Sequence, residues 1–317
     1  MSPTTPIRLV TTEEIRGALT MPAAIRAVAD ALVELSTGRA LVPPRTSLEI
    51  DGLRTTALVM PAYLPGPKRI GLKLISLCED NPARGLPLAQ AVTIVMDAEL
   101  GTPLAVLEAG YLTAVRTGAA SGAATDVLAR KDARVAAVFG AGVQGRTQLE
   151  AIAAVRPLRK AFIVDTNRGA AAAFAAEMRR TLALDVVPAE PQAALREADI
   201  VSTATTSTVP VFRDMDLKAG VHINAVGSYK PHVREVPGET IRRAGLFVDE
   251  KRSCLEEAGD ILLAIREGLV GEGHIRAEIG EVLAGLKPGR RSDDEITVFK
   301  SVGNAVEDLA VAALVLG

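Results

Sequence analysis

Tryptophan is absent from the 317 residues, and aromatic side chains make up only 3% of them. A chain so poor in stacking platforms has little with which to hold unstacked bases. Neither sign of charge dominates: 36 Lys and Arg face 38 Asp and Glu, a net charge of −2. No overall field therefore draws in a polyanion, which speaks against nucleic acid or an anionic membrane as partner. The two cysteines, Cys78 and Cys254, and three histidines supply neither a disulfide framework nor a Cys-x-x-Cys or His-rich tract for zinc, so no metal site is expected. That scarcity fits a reducing, cytoplasmic setting. Long apolar runs are missing as well. Met1 to Val10 carries Pro3 and Pro6 and no signal-peptide core, and Asp97 and Glu99 break the run after Val92, so export and membrane insertion are both unsupported.

What is present is an ordinary globular mix, 48% hydrophobic and 23% charged, over a length that suggests two domains acting on a small molecule. Pro22 to Leu35 has helical spacing, with Ala24, Ile25, Val28, Leu32 and Leu35 on one side. From Val42 to Val106 short Val/Ile/Leu/Thr runs alternate with Pro and Gly: Arg54–Met60, Ile70–Leu77, Ala91–Asp97 and Pro103–Glu108. They predict strands of one antiparallel or mixed sheet. Thr113–Leu128, helical and rich in small residues, predicts the connection between domains. After Arg134 short buried strands alternate with helices, the pattern of repeated βαβ units: strands at 134–139, 161–165, near 186, 200–204, 221–225 and 246–249. The expected fold class is α/β, a Rossmann-type doubly wound parallel sheet domain plus a smaller α+β domain. The expected boundaries are 1–117, completed by 299–317 from the apolar tail folding back, and 118–298.

The sharpest motif is Gly140-Ala141-Gly142-Val143-Gln144-Gly145, which follows the strand Val135–Phe139 and opens a helix. Its glycines allow a tight turn, close approach of backbone amides to a pyrophosphate, and close packing of helix on strand. Asp165 follows at the end of the next strand, where a carboxylate can accept from a ribose 2′-hydroxyl. Gly140, Gly142, Val143, Gln144, Gly145 and Asp165 are therefore candidate cofactor residues. Asp165 favours NAD over NADP, although Arg168 stands where it could accommodate a 2′-phosphate; a solvated arginine at a helix start is the equal alternative. Thr203 to Ser207, with Thr205 and Thr206, predicts a loop over the cofactor whose hydroxyls reach ribose or nicotinamide, or a simple turn.

Three cations lie in apolar settings: Arg45 after Pro43-Pro44, Lys73 within Gly71-Leu72-Lys73-Leu74-Ile75, and Arg116 within Leu112-Thr113-Ala114-Val115-Arg116-Thr117. A substrate carboxylate would partner them. Internal salt bridges to Glu49, Glu79 or Asp97, or snorkelling from a strand edge, are the alternatives. His222 in an apolar strand reads as a hydrogen-bonded structural histidine, His232 as exposed, and the basic run Lys287–Arg291 as a solvated loop.

These features, with Asn81-Pro82, Gly85-Leu86-Pro87, Ile223-Asn224-Ala225-Val226-Gly227 and Phe299-Lys300-Ser301-Val302-Gly303-Asn304-Ala305, occur in an order that resembles the ornithine cyclodeaminase and mu-crystallin family over nearly the whole chain. The resemblance implies a homodimer, with a first domain carrying substrate and dimer contacts and a Rossmann domain binding NAD, with NADP as the alternative. It also implies substrate roles for Arg45, Lys73 and Arg116, and cofactor roles for Arg116, Thr117, Ala225, Val226 and Gly227. Cyclodeaminases of the family carry an acid/base aspartate after Asn-Ala-Val-Gly. Here Ser228-Tyr229-Lys230-Pro231 occupies that place, and no carboxylate precedes Glu235. Tyrosine, with a reference pKa near ~10, is a poor substitute. Leu88 likewise replaces the Thr that cyclodeaminases tend to carry. The resemblance therefore implies an oxidoreductase acting on the C–N bond of a small amino or imino acid. Lys73, an amine desolvated in an apolar strand near other cations, is the candidate acid/base, with a permanent electrostatic anchor as its alternative role. A cyclic ketimine such as pyrroline-2-carboxylate or piperideine-2-carboxylate, or an alanine-dehydrogenase-like reductive amination, would suit such an enzyme. A cyclodeaminase lyase with catalytic NAD and a noncatalytic crystallin-like binding protein are the alternatives.

Overall fold

The computed structural model describes residues 6–317. Met1–Thr5, which include Pro3 and the start of the first expected domain, lie outside the described residues. The chain divides into two units, one running up to Arg116 and taking in Asn304–Gly317, the other formed by Thr117–Gly303.

In the first unit, Thr20 caps the helix Met21–Ser36 by accepting from the Ala23 N–H, and the helix buries Ala24, Ile25, Val28, Ala31 and Leu32 as the spacing predicts. The sheet of this unit comprises β1 (Arg8–Val10), β2 (Thr46–Ile50), β3 (Thr55–Leu64), β4 (Arg69–Cys78), β5 (Ala89–Asp97) and β6 (Pro103–Glu108). Among the described residues its order is β1-β6-β5-β4-β3-β2. All neighbours are antiparallel except β1 and β6, which are parallel. The sheet is thus mixed, and two of its strands escape the sequence reading. β1 is three residues long, and β2 is exposed along its whole length, so neither shows an apolar pattern. The C-terminal helix Ala305–Leu316 packs on β3, β4 and β5 and against the helix Met21–Ser36. It is buried on nearly every side, which accounts for its almost continuous apolar sequence.

The helix Ala109–Leu128 carries the chain into the second unit. There β7 (Val135–Phe139), β8 (Lys160–Val164), β9 (Asp185–Pro188), β10 (Ile200–Thr203), β11 (His222–Ala225), β12 (Gly245–Val248), β13 (Ile275–Glu278) and β14 (Thr297–Lys300) form one sheet. Among the described residues its order is β13-β12-β14-β11-β10-β7-β8-β9, and every pairing is parallel. The order reverses between β7 and β10, the switch point of a doubly wound sheet, where ligands lie at the carboxyl ends of the strands. Both faces are covered, so β7, β10, β11, β12 and β14 are buried throughout.

The tail departs from expectation at its start. Thr297–Lys300 does not return to the first unit but inserts as β14 between β11 and β12, and only Asn304 onward joins the first unit. Residues 299 and 300 therefore belong to the parallel sheet, and 301–303 to the same unit, because Val298 and Phe299 are core residues flanked by strands on both sides. Arg290 also departs from the solvated loop expected for Lys287–Arg291. It turns inward and donates to the Leu128 carbonyl at 2.6 Å and the Thr297 hydroxyl at 3.0 Å, while Lys287 and Arg291 stay exposed.

Candidate active site

Alternation along β4 turns Gly71, Lys73 and Ile75 to the face covered by the C-terminal helix. At Gly71 the helix comes close, since a Cβ there would lie 2.7 Å from Leu309 Cδ1. That close approach brings the neighbour of Leu309, Asp308, onto Lys73. The Lys73 ammonium donates to Asp308 Oδ2 at 2.6 Å, with both side chains at most 2% exposed. Arg116 joins them from the helix Ala109–Leu128: its Nε lies 3.2 Å from Asp308 Oδ1, and its Nη1 donates to Glu307 Oε2 at 2.8 Å. The Thr113 hydroxyl lies 3.5 Å from Asp308 Oδ1. Glu307 also accepts from the Asn304 N–H, closing a capping box that fixes the start of the C-terminal helix.

Lys73 and Arg116 are thus paired, but not with the acids expected. Glu49 instead holds Ser47 and Thr56, Glu79 pairs with Arg54, and Asp97 pairs with Arg69. The sequence did carry a signal for the true partners. Glu307 and Asp308 are the two acids in an otherwise apolar run, Ala305 to Val315, and buried acids demand buried cations.

Burial pushes the Lys73 pKa down to about 8, and the Arg116 charge adds to this while Asp308 opposes it. In register, Lys73 faces Met60 on β3 and Thr93 on β5. Thr93 is 1% exposed, and among the described residues its hydroxyl has no hydrogen-bond partner. Arg45 is half-buried and directly precedes Thr46, which pairs with Val59 beside Met60.

In the second unit, Gly140 sits at φ +104°, and a Cβ there would lie 2.5 Å from the Ala204 carbonyl oxygen. At Gly145 a Cβ would lie 2.0 Å from the Gly140 carbonyl oxygen. Gly142 differs, for nothing comes within 4 Å of its missing Cβ. It is the N-cap of the helix Val143–Val155, which has no side-chain cap and no acid in its first turn. The free N–H groups of that turn and the open space over Gly142 fit a pyrophosphate. Val143 is 64% exposed there, and Gln144 Oε1 is a buried acceptor with no partner among the described residues. Sequence reasoning passed over Arg146, which donates to the Ala141 and Gly142 carbonyls and to Glu177. It draws the two loop carbonyls toward itself.

Asp165 accepts from the Ala141 N–H and the Asn167 N–H, each at 2.7 Å, so it also ties the glycine loop to the end of β8. A cleft of about 620 Å³ opens here, lined by Gly140, Gly142, Asp165, Thr205, Thr206 and Ser207 among others. Arg168 is 94% exposed and lies 3.8 Å from Glu190, which favours the solvated reading. The Thr205 hydroxyl is engaged internally, donating to Glu235 and accepting from the Ser207 N–H. It therefore does not point to a ligand, whereas Thr206 is exposed. Thr117 is buried and accepts from Gln148 through its carbonyl. Ala225 is buried at the end of β11, with Val226 and Gly227 half-buried beyond it. His222 is a structural histidine, bridging Thr297 and Asn224, and burial pushes its pKa down to about 3. His232 is exposed.

Residues 7–316 match the ornithine cyclodeaminase/mu-crystallin family. The chain is 40% identical over 306 residues to a Delta(1)-pyrroline-2-carboxylate reductase of Bacillus cereus, covering 96% of this chain and 94% of the relative. A solved structure of Thermococcus litoralis Delta(1)-pyrroline-2-carboxylate reductase in complex with NADH and L-proline is similar at TM-score 0.95 and 41% identity, covering 97% of this chain and 96% of that one. An archaeal alanine dehydrogenase dimer with bound NAD is similar at TM-score 0.92 and 36% identity, covering 98% and 95%.

Removing one member of the buried network leaves its partners uncompensated, which typically costs ~3–5 kcal/mol. Asp308→Leu and Lys73→Met should each lower unfolding stability by about that amount in urea titrations. The double variant should recover at least half of the summed loss, because the Arg116–Glu307 pair stays intact. Additive losses would mean that the two side chains are not energetically coupled.

Proposed function

This chain belongs to the ornithine cyclodeaminase/mu-crystallin family, and we propose that it is an NAD(P)H-dependent imine reductase acting on a small cyclic imino acid of the pyrroline-2-carboxylate class. The observation that carries this reading is the joint presence of a dinucleotide cradle and a buried, carboxylate-held Lys73 and Arg116, in a chain 40% identical to a pyrroline-2-carboxylate reductase. Gly140, Gly142, the amides of Val143, Gln144 and Gly145, Asp165, Thr206 and the loop Ala225–Gly227 hold the cofactor. Asp165 favours the 2′-hydroxyl of NADH. Arg45, Arg116 and the Thr93 hydroxyl hold the substrate carboxylate, and Thr117 belongs with the cofactor residues.

The bound dinucleotide supplies a hydride. The imine carbon takes it with its electron pair, C=N becomes C–N, and the nitrogen takes one proton. Lys73 provides that proton from Nζ: with a pKa of about 8 it is charged at neutral pH yet gives the proton up readily. Asp308 holds the ammonium in place at 2.6 Å. Reductive amination of a 2-oxo acid, as an alanine dehydrogenase performs it, is the second reading, favoured by the likeness to the archaeal enzyme. A cyclodeaminase is disfavoured by the loop that replaces the family aspartate. Ser228 is buried against Asp260, Tyr229 packs on the core, and the next acid, Glu235, is wholly buried.

The same reading includes a homodimer and a cytoplasmic setting. No helix among the described residues is long and apolar enough to cross a membrane, and both cysteines are free thiols. The sheet face of the first unit opposite the C-terminal helix exposes Leu48, Ile70, Leu74 and Val92 by 39–53%. Val59, Leu74 and Val92 form one row across it. An apolar sheet face of this kind is the surface on which a second copy would pack.

Purified protein should consume NADH or NADPH with pyrroline-2-carboxylate, piperideine-2-carboxylate, or pyruvate plus ammonium, read by loss of dihydronicotinamide absorbance. Ammonia released from L-ornithine without net cofactor change would instead establish a cyclodeaminase. Sedimentation equilibrium should give twice the 33.1 kDa chain mass, and Leu74→Glu should shift the protein to monomer. A wild-type monomer at micromolar concentration would remove the proposed interface.

A further inference from the structure

The loop after β10 and the loop after β11 lie at the carboxyl ends of strands in the second half of the parallel sheet, the half that receives the nicotinamide mononucleotide in a dinucleotide fold. One buried carboxylate ties the two loops together. Glu235 is 0% exposed and accepts from the Thr205 N–H (2.6 Å), the Thr205 hydroxyl (2.7 Å), the Gly227 N–H (2.7 Å), the Thr203 hydroxyl (3.0 Å) and the Ser228 N–H (3.2 Å). It lies directly beneath Gly227, where a Cβ would come within 2.5 Å of both carboxylate oxygens. Burial and the neighbouring Asp260 charge push the Glu235 carboxyl up, opposed by the Lys300 ammonium and the Thr205 donors. Three of its donors are backbone amides, which cannot turn round to accept a proton, a geometry that suits the ionised carboxylate.

A second carboxylate stands one layer behind. Asp260, also 0% exposed, accepts from the Ser228 hydroxyl (2.7 Å) and from the Glu235 and Val236 N–H groups (2.8 and 2.9 Å). The Lys300 ammonium lies 2.8 Å from Asp260 Oδ2; burial raises that carboxyl, but the Lys300 charge and hydrogen bond, joined by the Val236 and Ser228 donors, together keep it below its ordinary range. Arg234, the cation next to Glu235 in sequence, turns away to Glu267. Two buried carboxylates therefore lie in the field of one buried ammonium, an excess of one negative charge under the nicotinamide loops. Little water is available there to screen it.

We infer that Glu235 and Asp260 act as positioning residues for redox state, favouring the oxidised cofactor, whose nicotinamide ring is a cation, over the reduced cofactor, whose ring is neutral. When the substrate imine carbon accepts the hydride and its electron pair, the ring left behind gains one positive charge. A fixed negative charge nearby stabilises that product and the transition state leading to it. The interior of the second unit thereby biases the on-enzyme equilibrium toward reduction of the imine. This inference rests on the nicotinamide dinucleotide reading of the cleft.

The test is the pair of dissociation constants for NAD⁺ and NADH, measured by calorimetry on the wild type, Asp260→Asn and Glu235→Gln. The wild type should bind NAD⁺ at least as tightly as NADH. Each charge-neutral variant should weaken NAD⁺ binding roughly tenfold more than NADH binding, the scale expected for one charge acting through a protein interior. Asp260→Asn leaves the five donors to Glu235 in place. It and the wild-type ratio therefore decide the matter even where Glu235→Gln fails to fold. A wild type that binds NADH tenfold more tightly, or variants that lose both forms equally, would overturn the inference and reduce the cluster to a loop staple. Binding of neither form to the wild type would defeat the dinucleotide reading itself.

Discussion

The bond between Lys73 and Asp308 organises the first unit. A lysine pointing into the covered face of a sheet must find an anion there, and the nearest is supplied by the last helix of the chain, 235 residues away. Several local features follow from that requirement. Gly71 lacks a side chain so that Leu309 can seat against the strand. Asn304 caps the helix and Glu307 closes the cap, which fixes the rotation that presents Asp308 to Lys73 and Glu307 to Arg116. The same pairing holds the ammonium in place and, against the pull of burial, raises its proton affinity, so packing and electrostatics share one set of contacts.

The second unit applies the same rule to its loops. Glu235 ties Thr205 to Gly227 and Ser228, while Asp249 accepts from the Ser301 hydroxyl and the Val302 and Gly303 N–H groups. Asp165 does the same for the glycine loop. In each case a carboxylate gathers amides that strand ends would otherwise leave unpaired, and the loops at the carboxyl ends of the sheet become fixed in shape. Such loops can meet a cofactor without first being ordered by it.

Much of this was legible in the sequence. The βαβ alternation, the glycine motif with Asp165 and the structural character of His222 rest on local patterns of period, turn chemistry and burial, and those patterns survive into the fold. What was not legible depends on long-range pairing. The partners of Lys73 and Arg116 lie on a helix whose place cannot be read from its own residues, and nearer acids looked equally suitable. β14 was mistaken for the start of the returning tail because a strand buried in the middle of a parallel sheet and an apolar helix share one composition. The Thr205 hydroxyl looked available for a ligand because Glu235, which takes it, is 30 residues distant.

Lys73 is proposed as the proton donor, with Asp308 setting its proton affinity. The most direct test is the pH dependence of kcat for imine reduction in the wild type and in Asp308→Asn. A protonated Lys73 is the active form, so the rate should hold below a pKa of about 8 and fall as pH rises through it. Loss of the Asp308 charge, which raises the Lys73 pKa in the wild type, should move that fall to lower pH. A rate flat from about pH 7 to about pH 9.5, or a fall that Asp308→Asn leaves in place, would contradict the account.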